Sequence, residues 1–217
     1  MPPYMFEDIM KITEIKEFSK TKYEILTDSQ QKLVLYKGDF RRMGLSLGAE
    51  ISEKQLSVLL EELLPYRAKQ RCMKLLEGCD YTEYELCKKL SKDGYPEAII
   101  EDTLAYLKKL NYINDSRYIE LYYRYKHTSK SRKQICMDLQ NKGISKELIK
   151  EVFEDIFAEE VKSGDIRCIR KLLFKKKYED SKATFADKEK VKMYLFRKGF
   201  DLQDIICCMK DFSCADM

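Results

Sequence analysis

The 217-residue sequence has few of the features that mark a membrane protein, a secreted domain or a metalloenzyme. It contains no tryptophan, four prolines and a single histidine, His127. Its longest uninterrupted apolar run is the five residues from Ile205 to Met209, whereas a membrane span needs roughly 20. The first residues lack the basic and apolar segments of a signal peptide. We therefore expect a cytoplasmic protein that does not associate with membranes.

Catalytic and metal-binding motifs are also missing. The sequence has no glycine-rich phosphate loop and no G-x-S-x-G nucleophile motif. None of its eight cysteines forms a C-x-x-C pair, and one histidine cannot complete the usual zinc sets. We expect no catalytic residue, no metal and no cofactor, although a Cys–His nucleophile at His127 is a weaker alternative. The cysteines should act as small apolar residues: Cys72, Cys79, Cys87, Cys136, Cys168, Cys207, Cys208 and Cys214.

Three glycines at related positions, Gly94, Gly143 and Gly199, divide much of the chain into repeats. A leucine stands four residues before each glycine, and an apolar residue stands eight before. The residue twelve before each is of a type favoured at helix N-caps, namely Thr82, Ser131 and Asp187. This pattern predicts an amphipathic helix of about three turns that ends at each glycine.

A second helix follows each glycine. Two residues after the glycines stand residues suited to begin a helix, which are Pro96, Ser145 and Asp201. Apolar residues then recur six, ten and thirteen positions after each glycine, which places them on one helical face. A third helix precedes each such pair, and Asp115 is expected to be the N-cap of one of these leading helices.

The sequence therefore predicts a mainly α protein with three tandem three-helix repeat units in an elongated, curved stack. A small antiparallel β-unit of about three strands precedes the stack, with a hairpin around residues 28–31. Pro65 is expected to interrupt or restart a helix that begins at Ser52. The predicted parts are a β-unit (1–50), a linking helix (51–64), and three helical repeats (65–112, 113–158 and 159–217).

Basic residues cluster in the second and third repeats, although the net charge of the chain is only +4. One cluster lies between Arg117 and Lys133, and the other lies between Lys162 and Lys177. In a stack of repeats, equivalent positions can line one surface, and a basic surface would suit a phosphate backbone or an acidic protein. The candidate binding residues are Arg117, Arg124, Lys126, Lys130, Arg132, Lys133, Arg167, Arg170, Lys171, Lys175, Lys176 and Lys177.

Four tyrosines accompany the first basic cluster: Tyr118, Tyr122, Tyr123 and Tyr125. They could stack on nucleic-acid bases. Aromatic residues at spacings of three and four are more often part of a core, and Tyr118, Tyr122 and Tyr125 share one helical face. We therefore expect most of these tyrosines to pack inside the second repeat.

Several short phrases of the chain resemble the RecX family of bacterial regulators. The phrases that carry the resemblance are Arg67-Ala-Lys-Gln-Arg71, Glu85-Leu-Cys-Lys-Lys-Leu90 before Gly94, Leu107-Lys-Lys-Leu-Asn-Tyr-Ile-Asn-Asp115-Ser-Arg-Tyr118, Leu139-Gln-Asn-Lys-Gly143-Ile and Arg197-Lys-Gly199-Phe. They span roughly residues 60–213, so the N-terminal β-unit lies outside the resemblance.

The resemblance implies a non-enzymatic inhibitor of the RecA recombinase, with roles in DNA repair, homologous recombination and the SOS response. It implies binding in the groove of the RecA–single-stranded DNA filament, which would limit filament growth, strand exchange and co-protease activity. From the residues alone, two alternatives stay open: a stand-alone helix-turn-helix-like DNA-binding module, or a helical-repeat adaptor for an acidic protein. We expect a monomer that contacts RecA and its filament, with direct DNA binding as a further possibility.

Overall fold

The computed structural model describes residues 10–157, 160–210 and 212–213, and these form a mainly helical chain with a small antiparallel sheet near the N-terminus. The predicted fold class is confirmed. The chain divides into two compact units, Met1–Ile113 and Asn114–Met217. The finer five-part division stays a prediction. Cys214 and the side chain of Lys162 lie outside the described residues.

A four-stranded antiparallel sheet, in the order β3-β2-β1-β4, belongs to the first unit. Its strands are β1 (Met10–Ser19), β2 (Lys22–Thr27), β3 (Lys32–Tyr36) and β4 (Glu50–Ile51). The predicted hairpin connects β2 and β3. Strand β4 has only two residues, too few to show an alternating pattern, so the sequence predicts three strands and not four.

The helices after the sheet begin with a short one that the sequence does not predict, α1 (Lys37–Arg42), in a glycine-containing stretch. Next come α2 (Glu53–Ser57), a π-helical segment (Val58–Leu63) and α3 (Leu64–Leu76), which follow one another without a break. Pro65 lies just where the π segment gives way to α3. Because proline lacks an N–H and crowds the carbonyl four residues earlier, the wider turn before it lets the helix continue.

The first repeat is completed by α4 (Glu83–Lys92) and α5 (Glu97–Lys109). The predicted cap at Thr82 is confirmed: its side chain and that of Glu85 form a capping box. Helices and sheet share one apolar core, whose fully buried members include Ile12, Ile25, Leu33, Leu59, Leu86, Leu90 and Leu107. The sheet therefore buries its apolar side chains against the helices of the first unit.

The second unit contains six helices within its described residues: α6 (Asp115–Lys126), α7 (Arg132–Asn141), α8 (Lys146–Phe157), α9 (Glu160–Lys175), α10 (Phe185–Arg197) and α11 (Leu202–Met209). They form two apolar clusters, one in each repeat. Two predicted N-caps are wrong. Asn114 and not Asp115 caps α6, and Thr184 and not Asp187 caps α10, which starts one turn earlier because Thr184 can accept from the Asp187 N–H.

The three glycine turns of the repeat close in the same way, as predicted. Gly94, Gly143 and Gly199 have φ angles of 85°, 83° and 85°. In each turn the glycine N–H and the following N–H donate to carbonyls of the last helical turn, the bonding of a Schellman motif. The residue after each glycine is apolar and buried, which anchors the turn in the core.

The Gly94 turn also joins the sheet to the helices. Val34 of β3 packs so closely that a Cβ on Gly94 would lie 2.4 Å from a Val34 methyl carbon. Beside it, the buried Lys22 Nζ donates a 3.0 Å hydrogen bond to the Asp93 carbonyl, and burial lowers the pKa of Lys22. Only glycine satisfies both the left-handed φ and this close approach.

We predict that Gly94→Ala destabilises the protein by about 2–4 kcal/mol, since it combines left-handed strain with overlap against Val34. Gly48→Ala is the matched control, because Gly48 has a φ of 78° in the same unit but nothing within 4 Å of the place that an alanine methyl would occupy. That control should cost about 1 kcal/mol. Urea unfolding measures the free energy of unfolding of both variants. Equal losses would show that the overlap with Val34 adds nothing to the destabilisation.

Candidate nucleic-acid interface

The first basic cluster places three kinds of side chain on the outer side of α6. Arg117, Leu121, Arg124 and Tyr125 are all exposed, and their spacing of four, three and one puts them on one face of the helix. We call these four residues the α6 face. Lys126 lies beside this face, with its Nζ 4.4 Å from the centre of the Tyr125 ring. The α6 face therefore combines positive charge with an exposed aromatic ring.

The tyrosines of α6 divide between core and surface. Tyr123 is buried, with its ring edge against Phe153, while Tyr118 and Tyr122 pack partly against the core of the second repeat. Tyr125 is 76% exposed, so the prediction that it shares their core face is wrong. The buried Ile119 and Tyr123 mark the true core side of α6. Tyr125 lies near Tyr118 around the helix but is farther from this core side than Tyr118 and Tyr122 are, so its ring is left in solvent.

Lys130 is held by an ion pair. Its Nζ lies 2.5 Å from Asp138 Oδ2, and the Tyr122 hydroxyl donates to the same oxygen at 2.9 Å. Although burial opposes the change, the hydrogen bonds from Lys130 and Tyr122 lower the pKa of Asp138. Lys130 is therefore less available for binding than its position in the sequence suggests.

Arg132 and Lys133 occupy the first turn of α7, where the third repeat packs against the second. Ser131, the N-cap of α7, donates a 2.6 Å hydrogen bond from Oγ to the Lys198 carbonyl, and a Cβ on Gly199 would lie 3.0 Å from this Oγ. A cleft of about 460 Å³ opens here, lined by Arg132, Lys133, Asp165, Phe196, Gly199, Phe200, Asp201, Leu202 and Asp204. Both basic residues therefore share this cleft with three carboxylates, and the Arg132 guanidinium lies 5.3 Å from the centre of the Phe153 ring.

The second basic cluster forms a similar face on α9. Arg167, Arg170, Lys171, Phe174 and Lys175 are exposed on one side, and we call them the α9 face. The opposite side buries Cys168, Ile169 and Leu173 in the core of the third repeat. Like the α6 face, the α9 face carries an exposed aromatic ring among cations. That the two faces line one strip stays a prediction.

Lys176 and Lys177 lie beyond the α9 face, at the end of the helix. Lys177 has a left-handed φ of 52°, and the Lys176 Nζ lies 4.0 Å from the centre of the Tyr194 ring. They line a second cleft, of about 640 Å³, with Tyr178, Glu179, Lys182, Ala183, Asp187, Lys190 and Val191. The cleft therefore combines four lysines with two carboxylates, and Lys182 forms an ion pair with Glu179.

The leading helix of the first repeat uses its arginines differently. Arg67 donates two 2.9 Å hydrogen bonds to the buried carboxylate of Asp39, and Arg71 Nε lies 2.7 Å from Asp93 Oδ2. These arginines begin and end one of the phrases that carry the family resemblance, yet they hold α1 and α4 against α3. Nothing in the spacing of the sequence distinguishes these structural arginines from the exposed ones of α6 and α9.

The thiols and acidic groups show no sign of a reactive centre in the described part of the chain. Burial raises the pKa of Cys72 and of Cys168 to about 11, which keeps both thiols protonated at neutral pH. Among the described residues, no three His, Cys, Asp or Glu side chains are grouped to hold a metal ion. None of the helices described is long and apolar enough to cross a membrane.

Comparison with known proteins gives consistent matches along most of the chain. A family model for the first three-helix domain of RecX matches residues 68–107, and a model for its second three-helix domain matches residues 114–152. Regulatory protein RecX of Caldanaerobacter subterraneus subsp. tengcongensis is 29% identical over 198 residues, which are 90% of this chain and 96% of that protein. Its namesake in Clostridium beijerinckii is 28% identical over 192 residues, or 88% and 89% of the two chains.

Solved structures show the same fold. A crystal structure of regulatory protein RecX matches 94% of this chain and 100% of its own, with a TM-score of 0.60 and 24% identity. The crystal structure of RecX from Lactobacillus salivarius matches 71% of this chain and 98% of its own, with a TM-score of 0.58 and 21% identity. The match to the first of them extends over nearly the whole chain.

Two aspartates of the second unit should respond to pH in opposite directions. Burial, with Asp204 nearby, raises the pKa of Asp165, so the folded state loses stability as pH rises above the ordinary aspartate pKa. The pKa of Asp138 is lowered, so its contribution is present at neutral pH and is lost as pH falls. The melting temperature of Asp165→Asn, measured relative to wild type, should therefore be higher at pH 7 than at pH 4. Asp138→Asn should be less stable than wild type from neutral pH down to the ordinary aspartate pKa, and the difference should disappear as pH falls below it.

The expected cost of Asp138→Asn at pH 7 is below about 1 kcal/mol, because the side chain is partly exposed. Thermal melts followed by circular dichroism at about pH 2.5, 4, 5.5 and 7 measure the melting temperatures of both variants against wild type. Parallel shifts of the two variants with pH would contradict the assignment of opposite effects.

Proposed function

Because this chain belongs to the RecX family, we propose that it is a non-enzymatic regulator of the RecA recombinase. It acts as a monomer in the bacterial cytoplasm, where it lies in the groove of the RecA–single-stranded DNA filament. There it limits filament growth, strand exchange and co-protease activity. Through these effects it controls homologous recombination, DNA repair and the SOS response.

The observation that supports this proposal best is the pair of exposed basic faces on α6 and α9. Arg124 on the α6 face, and Lys171 and Lys175 on the α9 face, are exposed. They form no ion pair with any residue that the structure describes. Cations of this kind attract a phosphate backbone by releasing its counterions. Acidic surfaces of protein protomers would be attracted in the same way. A nucleoprotein filament offers both targets to one ligand.

The exposed rings of Tyr125 and Phe174 support direct contact with DNA as a second candidate function. An aromatic side chain among cations suits single-stranded nucleic acid, whose bases can stack while its phosphates meet the charges. Such binding would not need RecA and would weaken steeply as salt rises. An adaptor for an acidic protein would instead bind in the absence of any nucleic acid. Fluorescence anisotropy with labelled oligo-dT, from 50 to 300 mM salt, separates these cases.

We predict that charge reversal on either face weakens inhibition of RecA. The variants are Arg117→Glu/Arg124→Glu on the α6 face and Lys171→Glu/Lys175→Glu on the α9 face. Each should raise the concentration needed for half-inhibition of RecA ATPase and strand exchange by roughly tenfold or more, since several phosphate or carboxylate contacts are reversed. Folding is checked by circular dichroism.

The matched control is Lys54→Glu/Lys74→Glu, which makes the same change of charge at exposed lysines of the first unit. It should inhibit as wild type does. If both face variants fold and inhibit fully, the two faces are not the binding surface. If wild-type protein in excess leaves RecA ATPase, strand exchange and filament length unchanged, the proposed function itself is wrong.

A further inference from the structure

Four positions on the outer surface of the third repeat are all apolar, whereas the first two repeats hold mostly polar or charged residues there. These positions lie six and three residues before the glycine, and three and seven residues after it. In the first repeat they hold Lys88, Ser91, Glu97 and Glu101, and in the second Met137, Gln140, Lys146 and Lys150. In the third they hold Met193, Phe196, Leu202 and Ile206. Only the third repeat is apolar at all four.

These four apolar side chains are exposed and close together. Phe196 is 52% exposed and Ile206 is also 52% exposed, with Met193 and Leu202 only slightly less so. Phe196 and Leu202 line the same 460 Å³ cleft. Met193 lies one helical turn before Phe196 on α10, and Ile206 lies one turn after Leu202 on α11. We call these four residues the apolar face.

The core of the third repeat does not require this apolar face. On α10 the core side is provided by the buried Leu195, and on α11 by Ile205, Cys208 and Met209. The first repeat builds the same pair of helices with charged or hydroxyl residues at all four positions. A cluster of exposed apolar side chains that the fold does not need is typical of a surface that binds another protein.

The charges around the apolar face favour a protein over DNA as its partner. Asp165, Asp201 and Asp204 line the cleft beside Phe196 and Leu202, and they would repel phosphates. Arg132 and Lys133 line the same cleft and would attract carboxylates. Mixed charge around an apolar centre is the usual anatomy of a protein–protein interface. It is unlike the α6 and α9 faces, which carry only cations among their charged residues.

We propose that the apolar face binds a RecA protomer, through an apolar side chain flanked by acidic and basic groups on the RecA surface. This inference rests on the proposed function, and it assigns different contacts to different surfaces of the second unit. The α6 and α9 faces supply charge contacts along the filament, and the apolar face supplies a contact made to protein alone. Binding through it therefore depends little on salt, in contrast to binding through the cations.

The test is the triple variant Phe196→Gln/Leu202→Gln/Ile206→Gln, which leaves the charge unchanged and gives Phe196 the residue found at that position in the second repeat. We expect it to bind RecA–single-stranded DNA filaments at least tenfold more weakly at 200 mM salt, and to bind oligo-dT without RecA as wild type does. The control is Leu47→Gln/Tyr66→Gln/Leu110→Gln, which removes exposed apolar side chains of the first unit. It should bind filaments normally.

Each other outcome overturns the inference in a recognisable way. Unchanged filament binding by the triple variant refutes the apolar face while the proposed function stands. Failure of wild type to bind filaments refutes the proposed function and this inference with it. Loss of a wild-type dimer in sedimentation, without loss of filament binding, shows that the face joins two copies of the chain. If the triple variant unfolds, Phe196→Gln alone carries the same comparison.

Discussion

The helix-ending glycine turn is the constraint on which both units depend. In the first unit the carbonyl before Gly94 accepts from Lys22, while Val34 packs on the glycine itself. In the second unit the carbonyl before Gly199 accepts from Ser131. The sheet therefore contacts the first repeat in the same way as the second repeat contacts the third. A side chain at either glycine would oppose both the backbone conformation and the neighbouring element.

The neighbours of each leading helix explain why similar arginines have different roles. Asp39 and Asp93 neutralise Arg67 and Arg71 where α1 and the end of α4 meet α3, so these arginines of the leading helix have a structural role. A buried carboxylate such as Asp39 requires hydrogen-bonded cations, and Arg67 and Arg42 provide them. The described residues of the second and third repeats include no strand, and most cations of α6 and α9 extend into solvent.

Periodicity in the sequence was sufficient to predict the repeat, its helices and most of its caps, because these are set within three or four residues of each other. Other features depend on contacts distant in sequence. Strand β4 is defined only by its pairing with β1, and α1 is held by Arg67 from 28 residues away. Thr184 and Asp187 are both of residue types favoured as N-caps, so the sequence does not distinguish them. The helix begins at Phe185, and Thr184 is therefore the cap.

The candidate site was predictable to the extent that charge alone decides it. All twelve basic residues could be found by counting, but counting could not show that Lys130 is paired with Asp138 or that Arg132 and Lys133 lie in a cleft with three carboxylates. Exposed apolar residues gave no signal either, since Phe196 and Ile206 resemble core positions in a periodic pattern. They become informative only when the buried side of each helix is known. The repeats can then be compared with one another, because the same backbone occurs three times with different surfaces. A surface that differs between repeats without contributing to the core is the best candidate for binding another molecule.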